Sequence, residues 1–532
     1  MKTLLRDNRF LAAVLLLLFL FIHLYALDEL PGGLNTDEVG TAYDAWCLAN
    51  HGVDRHRDPF PVYPINYGDG QSAMYGWVLT ALIALTGTVN TFIIRLPAAL
   101  FGLILMAFGA LTAHEVLGEK HPKAWFALGL FYLVCPYFTM AARFGLDCNL
   151  LAGMSTAFLY AVVRAARRGR MRDYALAGIA AGLTLYTYAV SYMIMALFLL
   201  LALAYLARVK LLKWKNILAA ALPLVLIAWP LVAVQVINLF DLPEVTLFGK
   251  ITLPRIPDYR AGEFGLSNPL RSLFNALKST LMYDDRAANS TPQFWTMYPI
   301  SVPFVLIGAI ALLARGIRAV RTRAHDCAFF PLLWGALALA VGVTLSGDAL
   351  QPNTNQMNGI FFAAALSAVT GIYTVLDWLR GNVRRAAAAA IATAYAACGG
   401  LFFHWYFIER SQDALFEAPM SEAIAFIEAN DELAGRTVCM SQHYTYYLYA
   451  TLPSPYDYSV PESGPFGDCG NYHFEPSDFV PPYDPESIYV VSRQYDAHII
   501  EEAGFQPLQV GNAIVYLPAD IDANTLVYPE PA

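Results

Sequence analysis

Residues 10–27 read FLAAVLLLLFLFIHLYAL, and residues 28–40 continue DELPGGLNTDEVG. The first string is an unbroken apolar run close to the length that carries a helix across a hydrocarbon layer, about 20 residues. It follows Lys2, Arg6 and Arg9, and no small-residue cleavage site comes after it, so it reads as a retained anchor with the N-terminus in the cytosol. The second string then starts on the outer side. It sets two acids, Asp37 and Glu38, near the membrane surface, where carboxylates could meet the head group of a lipid-borne substrate.

Similar runs recur near residues 94–116, 124–142, 148–165, 174–188, 191–207, 216–238, 299–314, 327–345, 359–378 and 386–407, which gives about eleven spans. With 57% hydrophobic and 14% charged residues in a chain of 532, the class is a polytopic membrane protein. The runs are continuous instead of alternating, which excludes a transmembrane β-barrel. The apolar segment Ala73–Leu85 is not counted as a crossing, because an extra crossing there would place every later basic cluster outside. In this threading the cytosolic loops hold 21 of the 34 Lys and Arg residues and 6 of the 42 acids, a net of +15 against −23 on the outer side.

The chain therefore reads as an all-α polytopic membrane protein over residues 1–407, whose first outer loop, residues 28–93, carries interfacial helices. Residues 408–532 follow as a small extracytoplasmic α/β domain on the outside of the plasma membrane. That region holds 20 acids against Arg410, Arg436 and Arg493 and has no run long enough to span. Strand-like pieces at Thr437–Ser441, Ser487–Arg493 and Ala513–Leu517 alternate with helix-like pieces at Met420–Ala429 and Ala497–Ala503, and its length suffices for a core of its own. Of the seven cysteines, Cys135, Cys327 and Cys398 belong to spans, while Cys439 with Cys469, or Cys47 with Cys148, could form bridges on the oxidising side.

In the first outer loop Asn35 or Thr36 can cap a helix whose apolar positions are Val39, Ala42, Tyr43 and Trp46, with Asp37, Thr41 and Asp44 on the opposite face. Such a helix is expected to lie flat at the interface. Acids also favour a helix N-terminus through its dipole, so capping alone accounts for the pair equally well. The loop runs on through His51, Arg55, His56 and Arg57 to residues 61–71, PVYPINYGDGQ, where Asn66, Tyr67 and Gln71 suit a sugar or phosphate. The second outer loop, ARFGLDCN at 142–149, is very short; Arg143 and Asp147 could pair with each other or divide a substrate, and Arg143 could instead be a rim anchor.

The loop from Phe240 to Pro299 offers Arg255, Arg260, Arg271, Lys278 and Arg286 with Tyr259, Tyr283 and Trp295, a set able to grip a phosphate and stack on a sugar or simply to stay solvated. Residues 351–358, QPNTNQMN, are rich in amides, and Asn358 could line an acceptor pocket. The tyrosines Tyr444, Tyr446, Tyr447 and Tyr449 could make a glycan platform or pack a core. There is no P-loop, no His-Glu-x-x-His and no nucleophile elbow, and no nucleic-acid partner is expected.

Asn35-Thr36-Asp37-Glu38 after a first span, Tyr43-Asp44-Ala45-Trp46, the stretch from Asn66 to Gln71, Arg95-Leu96-Pro97 opening the second span, and Arg143 to Asn149 together resemble the C-type membrane glycosyltransferases. Within these the pattern is similar to glycosyltransferase family 39, the protein O-mannosyltransferase and aminoarabinose transferase branch, over residues 1–410. The resemblance implies a sugar donor on a polyprenyl phosphate in the membrane lipid, and transfer with inversion to a cell-envelope glycan, lipid or protein. It makes Asp37 the base, with Glu38 and Asp147 positioning the sugar or holding a divalent cation, Mg or Mn. Arg143, with Arg271 or Lys278, would neutralise the leaving phosphate, and Asp44, Asn66, Tyr67, Gln71 and Asn358 would bind substrate. An Arg expected near Gln356 is missing. The rival reading is a lipid or polysaccharide transporter, or a non-catalytic assembly protein. A transporter should carry ionisable groups at mid-membrane, whereas here the acids gather at the outer rim.

The threading predicts that a cysteine introduced near Arg168 reacts only with membrane-permeant maleimides, and one near Glu475 with impermeant ones. Labelling of both from the same side contradicts it.

Overall fold

All eleven expected apolar segments fold as helix in the computed structural model, which describes residues 7–257, 268–284, 289–345, 352–410, 420–441, 444–459, 467–475, 482–492, 498–511 and 513–528. The first, α1 (Asn8–Leu24), is capped by Asp7, whose side chain accepts from the Arg9 amide at 2.8 Å. After α2 (Thr36–His51) come a two-stranded hairpin, β1 (Ile65–Asn66) and β2 (Asp69–Gly70), and α3 (Ala73–Thr86). Then follow α4 (Thr91–Leu117), α5 (Ala124–Val134) and α6 (Pro136–Ala141), the last two split where Pro136 denies the helix an amide, so the expected span at 124–142 is broken.

The bundle continues through α7 (Leu150–Arg168), α8 (Met171–Leu185), α9 (Ser191–Arg208) and α10 (Trp214–Leu239), a second hairpin, β3 (Val245–Leu247) with β4 (Ile251–Leu253), and α11 (Pro269–Leu281). It closes with α12 (Ser301–Thr322), α13 (Phe330–Thr344), α14 (Phe361–Trp378) and α15 (Gly381–His404). Among the described residues seven helices, α4, α7, α9, α10, α12, α14 and α15, are long and apolar enough to cross a membrane, and α1, α3, α5 and α13 are shorter apolar helices. At about 1.5 Å per residue, the 14 residues of α3 extend only about 21 Å, short of a hydrocarbon core.

Packing sorts the helices by position. α7 and α14 form the buried centre, while α10, α12 and α15 turn most of their surface outward, where Leu222, Leu226, Ile310 and Leu401 are exposed as lipid-facing residues must be. α12 and α14 approach until their backbones meet: a Cβ on Gly308 would lie 1.7 Å from the Ser367 carbonyl oxygen. Small residues permit this where apolar burial against lipid gives no driving force. The basic clusters gather at one end, where Arg168 pairs with Glu115 at 3.1 Å, Lys120 with Asp377 at 2.5 Å and Arg315 donates to the Val116 carbonyl at 3.0 Å. The loops at 28–72 and 142–149 lie at the other end.

At that loop end stands the C-terminal region: α16 (Ser421–Glu428), α17 (Asp431–Ala434), β5 (Val438–Ser441), α18 (Tyr444–Thr451), β6 (Tyr472–Glu475), β7 (Ile488–Ser492), α19 (His498–Glu502), β8 (Gln506–Val510) and β9 (Ala513–Leu517). The strands form one sheet in the order β6-β5-β7-β9-β8, parallel across the first three and antiparallel across the last three. The expected strands are β5, β7 and β9; β6, β8 and α18 escaped the sequence because their short stretches lack alternation. The tail buries core residues of its own on both faces of the sheet, and one of these clusters also takes in Tyr43 and Cys47 of α2, which joins the tail to the membrane part.

Neither expected disulfide forms, and all seven cysteines are free. Cys439 packs with Tyr489 and Phe505 on one face of the sheet and Cys469 in the core on the other. Cys47 sits in that same core, while Cys148 packs with Phe144 and Leu146.

Val39, Ala42 and Ala45 pack on α3 and α4, and Tyr43 and Cys47 on the tail, so α2 is buried on two sides. Asp44, expected on a polar face, is buried and held by Arg55 through Nε at 2.8 Å and Nη2 at 2.7 Å. Asp44 is thereby a structural anchor and not a substrate ligand. Arg55→Met is expected to strand that carboxylate and cost about 3–5 kcal/mol, with a smaller loss in the Asp44→Asn/Arg55→Met double variant. Unfolding in detergent measures both, and a single variant as stable as the parent contradicts the assignment.

Candidate functional site

The loop end contains a cavity of about 390 Å³ whose walls come from four separate stretches: Asp37 from α2, residues 63–72 of the hairpin, Leu146 to Cys148 from the short second loop, and Asn353, Asn355 and Gln356. Tyr188, at the turn between α8 and α9, closes one side. Asp37, Asn66, Tyr67, Gln71 and Asp147 were expected at a site and are brought together here. Asp69, Ser72, Tyr63, Cys148 and Tyr188 join them. The first three lay in or beside the polar stretch already singled out, whereas Tyr188 carries no signal in an apolar run.

Local sequence fixes each group. Asn35 caps α2 by accepting from the Asp37 amide at 2.9 Å, and Glu38 returns the bond by accepting from the Asn35 amide at 2.9 Å, a capping box that sets the direction of the first turn. Asp37 is half-buried, and its Oδ1 accepts from Asn66 Nδ2 at 3.0 Å. Asn66 is delivered by the hairpin, whose two-residue turn has positive φ at both Tyr67 (+51°) and Gly68 (+80°), the geometry that suits the twist of paired strands. Asp147 accepts from the Ser72 amide at 3.0 Å and from the Cys148 amide at 2.6 Å, which ties the second loop to the start of α3. Gln71 accepts from Thr41 at 3.4 Å.

Electrostatically the cavity is acidic. Asp37, Asp69 and Asp147 face it, and no Lys or Arg is among its described lining residues. Burial, reinforced by Tyr444, pushes the Tyr67 hydroxyl well above its ordinary range, so that it remains a neutral hydrogen-bonding group. Hard oxygen donors suit Mg or Mn, yet among the described residues no three His, Cys, Asp or Glu side chains gather closely enough to hold a metal ion.

Six expected residues, Glu38, Asp44, Arg143, Arg271, Lys278 and Asn358, are not among the residues that line the cavity. Glu38 is fully buried and accepts from Arg95 Nε at 3.1 Å and from the Gly145 amide at 2.9 Å. A Cβ on Gly145 would come within 2.8 Å of Glu38 Oε1, which is why glycine stands there. Arg143 neither pairs with Asp147 nor faces the cavity. It is buried, donates to the carbonyls of Ile22 at 2.9 Å, Ala26 at 2.8 Å and Leu30 at 3.3 Å, and lies 5.1 Å from the Phe407 ring centroid. Its donors are taken up by one carbonyl in the last turn of α1 and two in the segment that follows, so it staples the second loop to the exit of α1.

Asn358 lies buried below the cavity, accepting from the Tyr137 hydroxyl and donating to Asn149 at 3.2 Å. Arg271 is exposed in the first turn of α11, Lys278 lies 4.4 Å from the Tyr283 ring centroid, and Arg255 pairs with Asp241 at 2.5 Å. Tyr259, Arg260 and Arg286 fall outside the described residues. Ser279, next to Lys278, donates to the Pro352 carbonyl at 2.9 Å, which joins α11 to the amide loop of the cavity.

Residues 71–232 match the family described as dolichyl-phosphate-mannose-protein mannosyltransferase, a match that begins at Gln71 and leaves Asp37 outside it. No curated protein matches the chain by sequence. In fold the chain is similar to ArnT from Cupriavidus metallidurans in the apo state, with a TM-score of 0.57 and 14% identity over 95% of this chain and 97% of that one. It is similar to the same protein bound to undecaprenyl phosphate, with a TM-score of 0.55 and 13% identity over 96% of this chain and 98% of that one. AglB from Archaeoglobus fulgidus, in complex with an inhibitory peptide and a dolichol-phosphate, gives 0.51 and 12% over 84% of this chain and 63% of that one. The chain thus shares the fold of C-type membrane glycosyltransferases, and the likeness extends past residue 410 into the tail that the sequence resemblance left uncovered.

Since the donors of an ammonium radiate from one nitrogen and cannot reproduce the spread of Nη1 and Nη2 over the three carbonyls, Arg143→Lys is expected to lower the thermal midpoint in detergent while leaving affinity for an added polyprenyl phosphate unchanged. A tenfold loss of affinity at unchanged stability returns Arg143 to the phosphate.

Proposed function

We propose that this chain is a membrane glycosyltransferase that takes a sugar from a polyprenyl-phosphate donor and passes it, with inversion, to a glycan, lipid or protein acceptor of the cell envelope. The observation that carries the reading is the meeting of Asp37 and Asp147, 110 positions apart in sequence, in one cavity on a fold shared with a protein crystallised with undecaprenyl phosphate.

In this reading the acceptor hydroxyl lies against Asp37, whose carboxylate takes the proton as the acceptor oxygen attacks the anomeric carbon. The bond from that carbon to the phosphate oxygen breaks on the opposite face, and its electron pair leaves with the polyprenyl phosphate. A single displacement of this kind inverts the configuration. Asn66 holds the Asp37 carboxylate in place through the 3.0 Å bond, and Asp147, itself fixed by two backbone amides, positions the sugar hydroxyls. The lipid phosphate is met by the loop between α10 and α12, with Lys278 the cation whose helix is bonded to the cavity loop. The acidic lining also suits a neutral sugar and supports a phosphate held at the rim instead of the floor.

Asp37→Asn keeps shape and hydrogen bonding while removing the base. Transfer of radiolabelled sugar from a panel of polyprenyl-phosphate hexoses and pentoses, in membranes holding the native acceptor, is expected to fall by about two to four orders of magnitude at equal protein amount. Near-full transfer by Asp37→Asn moves the base to Asp147. No transfer by the unmodified protein from any donor favours a non-enzymatic role.

A further inference from the structure

The C-terminal region reaches the cavity through one helix. α18 packs along α2, and its second residue, Thr445, is fully buried with its hydroxyl 2.6 Å from the Tyr67 hydroxyl. Tyr67 lines the cavity and occupies the tip of the β1–β2 turn, in a left-handed conformation that a tyrosine adopts only under constraint. Its neighbours in the turn carry the site: Asn66 on one side holds Asp37, and Asp69 on the other faces the cavity. The Tyr444 ring stands edge-on to Tyr67 at 5.1 Å, and the Tyr444 hydroxyl accepts from Arg55 at 2.9 Å. Other bonds attach the tail to the membrane part without touching the hairpin: Tyr446 donates to the Leu34 carbonyl at 2.5 Å and Tyr43 to the Pro453 carbonyl at 2.9 Å.

The geometry points to Thr445 as a positioning residue: through its bond to Tyr67 it holds the hairpin tip, and with it Asn66 and the Asp37 carboxylate, in the arrangement that the transfer step requires. The inference rests on the transferase reading proposed above. It gives the C-terminal region a part in the reaction beyond covering the membrane helices, because a hydroxyl from the tail fixes the wall of the cavity nearest the proposed base. The Tyr446 and Tyr43 bonds dock the tail without touching the hairpin, so this part of the docking can be separated from the Thr445 bond by substitution, whereas Tyr444, bonded to both Arg55 and the Tyr67 backbone, serves both.

Thr445→Val removes the hydroxyl at constant shape while leaving the Tyr446 and Tyr43 bonds in place. In the full-length protein, kcat for sugar transfer is expected to fall about five- to tenfold with the donor KM and thermal midpoint unchanged, the scale of a misoriented base and not of a lost one. Thr445→Ser should restore kcat. Tyr67→Phe should give a similar loss, and the double variant Thr445→Val/Tyr67→Phe should be no worse than either single one. Tyr446→Phe should lower the midpoint and spare kcat. Hydrogen exchange across residues 63–71 should quicken in Thr445→Val while α7 stays protected, a readout independent of activity.

Unchanged kcat with unchanged exchange in the hairpin overturns the inference, as does a loss of kcat that tracks the thermal midpoint and is not restored by Thr445→Ser. If the unmodified protein transfers no sugar, the transferase reading fails on its own. The exchange experiment then decides: a quickened hairpin supports the coupling to Thr445 and an unchanged one refutes it.

Discussion

One buried carboxylate holds the loop end together. Glu38 accepts from the Asn35 amide at 2.9 Å, the Gly145 amide at 2.9 Å and Arg95 Nε at 3.1 Å, and so binds the start of α2, the second loop and the start of α4 in a single knot. Arg95 is satisfied in turn, donating to the Leu27 carbonyl at 3.2 Å and the Gly33 carbonyl at 2.5 Å, so the ends of the first outer loop close on the same pair. Burying an ion pair is costly unless every donor and acceptor finds a partner, and here the partners are backbone groups that have no water to turn to. Each neighbour of the knot carries a cavity acid: Asp37 precedes Glu38 in the chain, and Asp147 follows Gly145 by two residues.

That constraint explains how a membrane protein presents two carboxylates at a fixed separation without a soluble scaffold. The helices supply rigid posts, and the loops between them are short or stapled. Arg143 ties the end of α1 to the same loop that carries Asp147, and the Asp44 and Arg55 pair braces α2 from behind. The charges buried behind the cavity are structural, and those that face it are acids and amides. A preorganised pocket of acids and amides is the arrangement that the proposed transfer of a neutral sugar would use.

The fold was largely legible in the sequence. Continuous apolar runs and the basic bias of one set of loops gave every membrane helix, and the polar run from Asn66 to Gln71 together with Asp37 and Asp147 marked most of the cavity. What the sequence could not separate was catalytic charge from structural charge. Glu38, Asp44 and Arg143 have the residue types and positions of a site, yet their partners are Arg95, Arg55 and the carbonyls of Ile22, Ala26 and Leu30 in and after α1, which only the folded chain brings near. The same limit hid Thr445, an unremarked hydroxyl in a tyrosine-rich stretch, whose partner is 378 positions away. The Cys439–Cys469 bridge that the tail could have formed is absent for a related reason: spacing does not show that the two cysteines pack in different clusters.

The most direct test is a structure of the full-length protein in lipid nanodiscs with polyprenyl phosphate bound. The account predicts the phosphate at the rim of the cavity between Asp37 and Asp147, on the side of α11, with the polyprenyl chain running down the outside of the bundle. A phosphate bound instead at the basic end, in the cleft lined by Lys120, Arg315 and Arg318, contradicts it.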